Sequence, residues 1–300
     1  MRKILPRFLV LILILAFMVS CSSQGNENSQ GKIIKDTLGR EINITSPPEK
    51  IVSLSPALTE ILFAIGLDQE IIGVSEYCNY PAAAKNKPTM GDFSTPNVEL
   101  VTSKDPDMVF VAAGVQEDVI EKFESLGITV VVLDADTIEQ VIDNIELAGI
   151  LTGKEKEAAR VAEDMRKRLE AITAKVQNLE KPKVFFEVWD DPLMSAGSQS
   201  FIHDIIVTAG GENIAGKNTE RYYNYSVETL LEENPDIYLI NSHSHTPSDI
   251  KKRNGYQVLQ AVKNDKIFVI DDDLISRPGP RVIEGLEQLA RYFHPQAFKE

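Results

Sequence analysis

The side chains of this chain whose types and spacing could do chemistry are few. His243-Ser244-His245 places two imidazoles on one segment just after an apolar stretch, where both could converge on a cation. Zinc takes three or four protein ligands, and the other two histidines, His203 and His294, stand far away in sequence. The pair therefore reads as polar loop residues, with a direct ligand contact by either imidazole left open. Gly149 to Lys154 has the outline of a phosphate loop. Its spacing is one residue short, and Glu155 stands where a magnesium-binding Ser or Thr is required. Ser195-Ala196-Gly197-Ser198 lacks the flanking glycines of a nucleophile elbow. No Gly-x-Gly-x-x-Gly opens a helix, and no His-Glu-x-x-His is present. No catalytic set assembles, so the chain reads as a non-enzyme without a cofactor or resident metal.

Charge and cysteine content narrow the classes further. The chain has 300 residues, with 31 Lys and Arg against 45 Asp and Glu, a net charge of −14. Such a surface repels phosphate backbones and anionic lipid, which excludes general nucleic-acid binding. With 43% hydrophobic and 25% charged residues the composition is that of a globular protein. At about 150 residues per domain, the length suggests two. Cys21 and Cys78 are the only cysteines, too few for a disulfide framework and wrongly spaced for zinc.

The N-terminus is an address. Arg2, Lys3 and Arg7 precede an apolar run from Phe8 to Val19, and a polar stretch follows Cys21. A basic start, a short apolar core and a small residue at the cut describe a secretory signal over 1–20. The run is shorter than the roughly 20 residues of a membrane span. Met18-Val19-Ser20-Cys21 resembles the lipobox of bacterial lipoproteins, with Met where that motif usually has Leu. The resemblance implies lipid on Cys21 and an extracytoplasmic protein tethered to the outer face of the cytoplasmic membrane. Removing 1–20 takes three positive and no negative charges and leaves −17. Residues 21–31, rich in Ser, Asn, Gln and Gly, read as a flexible tether.

Elements that must position any site follow. Ile33–Asp36 and Glu41–Ile44 flank Thr37-Leu38-Gly39-Arg40 as a hairpin. Strand candidates at Ile51–Leu54, Ile71–Ser75, Met108–Ala113 and Thr129–Leu133 alternate with helix candidates at Ala57–Ile65, Glu117–Leu126 and Ile138–Leu151. A second set has strands at Val184–Val188, Ile237–Asn241 and Ile267–Asp271, with helices at Phe201–Ala209, Val227–Glu233 and Arg281–Phe293. This alternation predicts an α/β fold with mainly parallel sheets. Between the sets, Lys154 to Glu180 holds no Gly or Pro. Val161, Met165, Leu169, Ile172 and Val176 recur at spacings of three and four, which predicts one long amphipathic helix. The expected organisation is a first lobe over 32–152, a linking helix over 153–181 and a second lobe over 182–300.

Seven stretches, in order, resemble the cluster A (class III) substrate-binding proteins of ABC importers for cobalamin, haem and ferric siderophores. Arg40 with Pro48 to Pro56 and Thr59-Glu60 is the first, and Gly73 to Pro81 the second. Gly91-Asp92-Phe93-Ser94 with Asn97-Val98-Glu99, and Asp105 to Val109, follow. The distal half adds Gly210-Gly211-Glu212-Asn213, Asn234-Pro235-Asp236 and Arg277-Pro278-Gly279-Pro280-Arg281. The resemblance implies two Rossmann-like lobes joined by one long helix, with ligand held between them. One stiff helix implies modest closure rather than a wide clamp.

The Tyr-x-x-Tyr-Pro and Gly-x-Phe segments most resemble the cobalamin-binding branch, which makes a corrinoid the expected ligand and haem or a ferric siderophore the alternatives. Cleft aromatics of that branch match Tyr77 and Phe93 in the first lobe, with Tyr222 and Trp189 at matching places in the second. Flat or bulky ligands suit such rings, which bury much area with few rotamers to freeze. The Arg277 guanidinium either hydrogen-bonds ligand or pairs with a carboxylate of Asp271–Asp273. A haem would need an axial ligand, for which Tyr77, Met90, His243 or His245 could serve. Cys78 is either a buried small residue or a cleft thiol. The resemblance also implies docking by one glutamate per lobe, Glu99 and Glu228, on the permease dimer of an importer with its ATPase, by a monomeric binding protein. An exported metal-dependent enzyme, or a surface sensory or adhesive domain, are the remaining rivals.

Overall fold

The computed structural model describes residues 31–243 and 245–299. The expected signal segment 1–20 and the Cys21 lipidation site lie outside the described residues. Strands β1 (Lys32–Lys35) and β2 (Glu41–Ile44) form the antiparallel hairpin. Its turn is closed by Asp36, whose carboxylate accepts from the Leu38 and Arg40 amides and pairs with the Arg40 guanidinium at 2.6 Å. Asp36 also accepts from the Val132 amide, which stitches the hairpin to the first sheet.

That sheet contains β3 (Ile51–Ser53), β4 (Ile71–Val74), β5 (Met108–Val111) and β6 (Thr129–Val132), all parallel, in the order β4-β3-β5-β6. The chain continues through β7 (Lys183–Glu187), β8 (Trp189–Asp190), β9 (Leu193–Ala196), β10 (Glu212–Asn213), β11 (Tyr222–Asn224), β12 (Ile237–Asn241) and β13 (Ile267–Ile270). Four of these build a second parallel sheet, β10-β7-β12-β13. Both sheets therefore run second strand, first, third, fourth, and each has a switch point between its first and third strands. The expected strands are present within two residues at their ends. An antiparallel β11-β9-β8 sheet adds to them. Its strands are two to four residues long, too short to show a period in the sequence.

Side chains alternate between faces as the pleat requires. Ile51 and Phe110 enter a core shared with the second sheet, whereas Val52, Val109 and Val111 pack on the opposite face. The helices are α1 (Pro56–Ala64), α2 (Val98–Ser103), α3 (Glu117–Ser125), α4 (Ile138–Thr152), α5 (Glu155–Val176), α6 (Phe201–Thr208), α7 (Val227–Glu233), α8 (Pro247–Lys252), α9 (Gln260–Lys263), α10 (Asp272–Ile275) and α11 (Val282–Phe293).

Helix α5 is the long helix. It buries Ala158, Ala162, Met165, Leu169, Ile172 and Val176 along one stripe. The stripe belongs to a continuous core holding Ile51 and Phe110 of the first sheet and Val184, Phe186 and Leu239 of the second. One helix thus packs on both lobes. At 22 residues it is about 33 Å long. It stops four residues before the expected Glu180. The apolar stripe ends at Val176, Leu179 is exposed, and Pro182 excludes helical geometry from the residue before it. The turn from α4 into α5 is made by Gly153 at φ 72°. This is the segment with the outline of a phosphate loop, and it is a helix-to-helix corner.

Candidate functional site

Open parallel sheets hold ligands beyond the carboxyl ends of their strands, at the switch point. A cleft of about 370 Å³ lies there. Its first-lobe wall follows β3, β5 and β6 through Ser55, Ala112 and Leu133. Its second-lobe wall comes from the α6 start, from Arg221-Tyr222 and from Arg277-Pro278. Four of the five residues expected to bind ligand, Tyr77, Phe93, Tyr222 and Arg277, line this one cleft. Trp189 does not. It is 56% exposed, and its ring nitrogen donates to the Asp191 carbonyl at 2.9 Å. A larger hollow of about 790 Å³ sits at the amino ends of the first sheet's strands, among Pro47, Glu49, Glu70 and Lys154. It is polar and holds none of the expected residues.

The loops that carry the first-lobe aromatics are built locally. Tyr77 follows β4 and stands 56% exposed in the cleft. Phe93 projects from a turn in which Asp92 accepts from the Ser94 amide and hydroxyl. Those bonds hold the Asp92 carboxyl below its ordinary range. Gly91 enters the turn at φ 101°, and a Cβ there would lie 2.7 Å from the Asn97 amide nitrogen, so only glycine fits. Gln116, buried just before α3, ties the wall together. Its amide nitrogen donates to the Leu54 and Phe93 carbonyls, and its oxygen accepts from the Ala112 amide. No sequence signal marked Gln116, because a glutamine becomes a brace only when three separate loops meet around it.

Arg277 takes the carboxylate option. It pairs with Asp273 at 2.7 Å, and it also crosses to the first lobe, to Asn79 at 2.7 Å and Glu60 at 3.3 Å. Beside it Arg281 grips Glu60 through two bonds of 2.8 and 2.6 Å and lies over the Tyr80 ring at 4.1 Å. Glu60 raises the Arg281 guanidinium above its ordinary range against the effect of burial. Arg221 makes a second crossing, to Asp136 at 2.6 Å and Asp134 at 3.2 Å.

The remaining predicted residues lie elsewhere. Glu99 and Glu228 are exposed in the first turns of α2 and α7, each two residues after a capping side chain, Asn97 and Ser226. Ser226 donates to Glu228 and lowers its carboxyl. Cys78 is a free, buried thiol, 3.1 Å from the Thr59 hydroxyl and 3.2 Å from that of Ser75. Met90 is fully buried in the first-lobe core. His243 is exposed, while His245 sits between Asp190 at 3.3 Å and the buried Glu187 at 3.6 Å. Opposite ring nitrogens face those carboxylates, so one cation cannot take all three groups through His245. Among the described residues no group of three or more His, Cys, Asp or Glu is placed to hold a metal ion. Among them also no helix is long and apolar enough to cross a membrane.

Comparison with known proteins gives the same picture. An uncharacterized ABC transporter substrate-binding lipoprotein of Bacillus subtilis is 33% identical over 275 residues, 89% of this chain and 87% of that protein. A vitamin B12-binding protein of Vibrio vulnificus is 29% identical over 83% of this chain and 91% of its own length. The crystal structure of the periplasmic vitamin B12 binding protein BtuF of Vibrio cholerae superposes with a TM-score of 0.75 at 26% identity, over 85% of this chain and 99% of that one. Residues 51–274 match the family described as periplasmic binding protein. With two parallel sheets bridged by one helix and a cleft between them, the chain belongs to the periplasmic binding protein family, whose members bind ligands rather than transform them.

Proposed function

We propose that this protein is an extracytoplasmic lipoprotein, anchored through Cys21, that captures a corrinoid between its lobes as a monomer and delivers it to an ABC importer. The observation that carries the ligand class is the gathering of Tyr77, Phe93 and Tyr222, from two loops of the first lobe and the start of β11 in the second, into one cleft. Ring faces from both sides suit a broad, largely apolar ligand, and the cleft edge supplies few charges that are free of protein partners. The similarity to vitamin B12-binding proteins supports a corrinoid over haem or a ferric siderophore. Delivery rests on Glu99 and Glu228, one on each lobe, aimed at paired cationic sites of a permease dimer.

The test is a titration of the full chain with cyanocobalamin, hemin and a ferric hydroxamate, followed by ligand absorbance. Binding of cyanocobalamin below about a micromolar, weakened at least tenfold by Tyr77→Ala with Phe93→Ala, is the expected result. Tight hemin binding without cyanocobalamin binding would transfer the role to haem.

A further inference from the structure

The two arginine crossings at the cleft differ in burial. At one, Glu60 is 2% exposed and its partners Arg277 and Arg281 are 15% and 14% exposed. At the other, Arg221, Asp134 and Asp136 are 30% to 49% exposed. Removing one partner of a buried pair leaves an uncompensated charge, whereas a half-exposed pair exchanges its partners for water at little cost. The Glu60 crossing therefore holds, and the Arg221 crossing is the one that can part. A third tie, the Ile138 amide at the start of α4 donating to Asp204 of α6, lies against Arg166 and Leu169 of the long helix and outside the cleft lining.

Arg221 and Asp134 also line the cleft. The bridge from Arg221 to Asp134 joins the two walls of this cleft, so a ligand as broad as a corrinoid meets it on entry. We infer that Arg221 is the gate of the cleft. Its bridge to Asp134 and Asp136 holds the lobes together without ligand, and a ligand gains the cleft only when that bridge breaks. The inference rests on the cleft being the ligand site proposed above. Its consequence runs against ordinary electrostatic steering. Salt screens the bridge, so association speeds up as salt rises.

Two measurements separate the gate from the ligand assignment. Cyanocobalamin has no net charge, so any salt dependence of its association rate belongs to the protein. In stopped flow the unmodified chain should associate faster at high salt than at low. Arg221→Gln should be about two- to fivefold faster at low salt and insensitive to salt, the factor expected from one half-exposed ion pair. The second measurement needs no ligand. Nitroxides are placed on Lys122→Cys and Lys252→Cys, exposed positions on separate lobes, in the full chain carrying Cys21→Ser. Arg221→Gln, or high salt, should lengthen and broaden the interlobe distance. An unchanged distance overturns the gate whatever binds. Cyanocobalamin association at one rate in both proteins, independent of salt, overturns the gate and leaves the corrinoid reading standing. Lengthened distances without cyanocobalamin binding support the gate and remove the corrinoid.

Discussion

At the scale of single residues, burial decides which polar groups matter to stability. Glu60 sits almost wholly out of water with two arginines around it. Glu60→Gln should lower unfolding free energy by about 3 kcal/mol in urea denaturation. Arg221→Gln should cost less than about 1 kcal/mol in the same assay. Cys78 makes a pH statement. Burial pushes its thiol up, and hydrogen bonding to Ser75 and Thr59 only partly offsets this. The folded chain therefore keeps that proton to higher pH than the unfolded chain does. The contribution is whole below the ordinary thiol range and is lost as pH rises through the raised value. Cys78→Ser should flatten the fall in Tm between about pH 8 and 10, and an equally steep fall would show that other groups cause it.

Elements were legible in proportion to their periodicity. The apolar stripe of α5 and the unbroken Val130-Val131-Val132 run of β6 announce a helix and a doubly buried strand, because each repeats a packing environment along the chain. The helix-to-helix corner depends instead on close approach. A Cβ on Gly149 would lie 2.4 Å from the Ala158 Cβ, so α4 and α5 touch where both residues are smallest. Gly149→Val should wedge them apart and cost about 1–3 kcal/mol, measured by denaturation. Native-like stability in that variant would mean the pair has slack. Helices α8 to α10, four to six residues long, are too short to print a period.

At the scale of the whole molecule the two lobes share a strand order, a switch point and a core through α5. Glu99 and Glu228 repeat one local design, a carboxylate in the first turn of a short capped helix, on each lobe. Exposed charges of this kind set encounter rate and orientation more than affinity. The double variant Glu99→Ala with Glu228→Ala should bind ligand normally and take it up more slowly, measured as labelled-ligand accumulation in cells. Normal accumulation would remove the docking role.

The sequence alone determined the α/β alternation and the long helix, because local periodicity is written along the chain; the family resemblance pointed to Tyr77, Phe93 and Tyr222, which line the cleft, and to Trp189, which does not. The sequence left Arg277 between ligand and carboxylate, and Cys78 between core and cleft. Only the tertiary structure decided these. It set Arg277 against Asp273, Asn79 and Glu60, and it closed Thr59 and Ser75 around the thiol. It also brought Gln116 under three loops and Arg221 onto Asp134 and Asp136. A charge or an amide takes its role from partners more than two hundred residues away, as Arg277 does from Glu60, and no spacing along the chain records that distance in space.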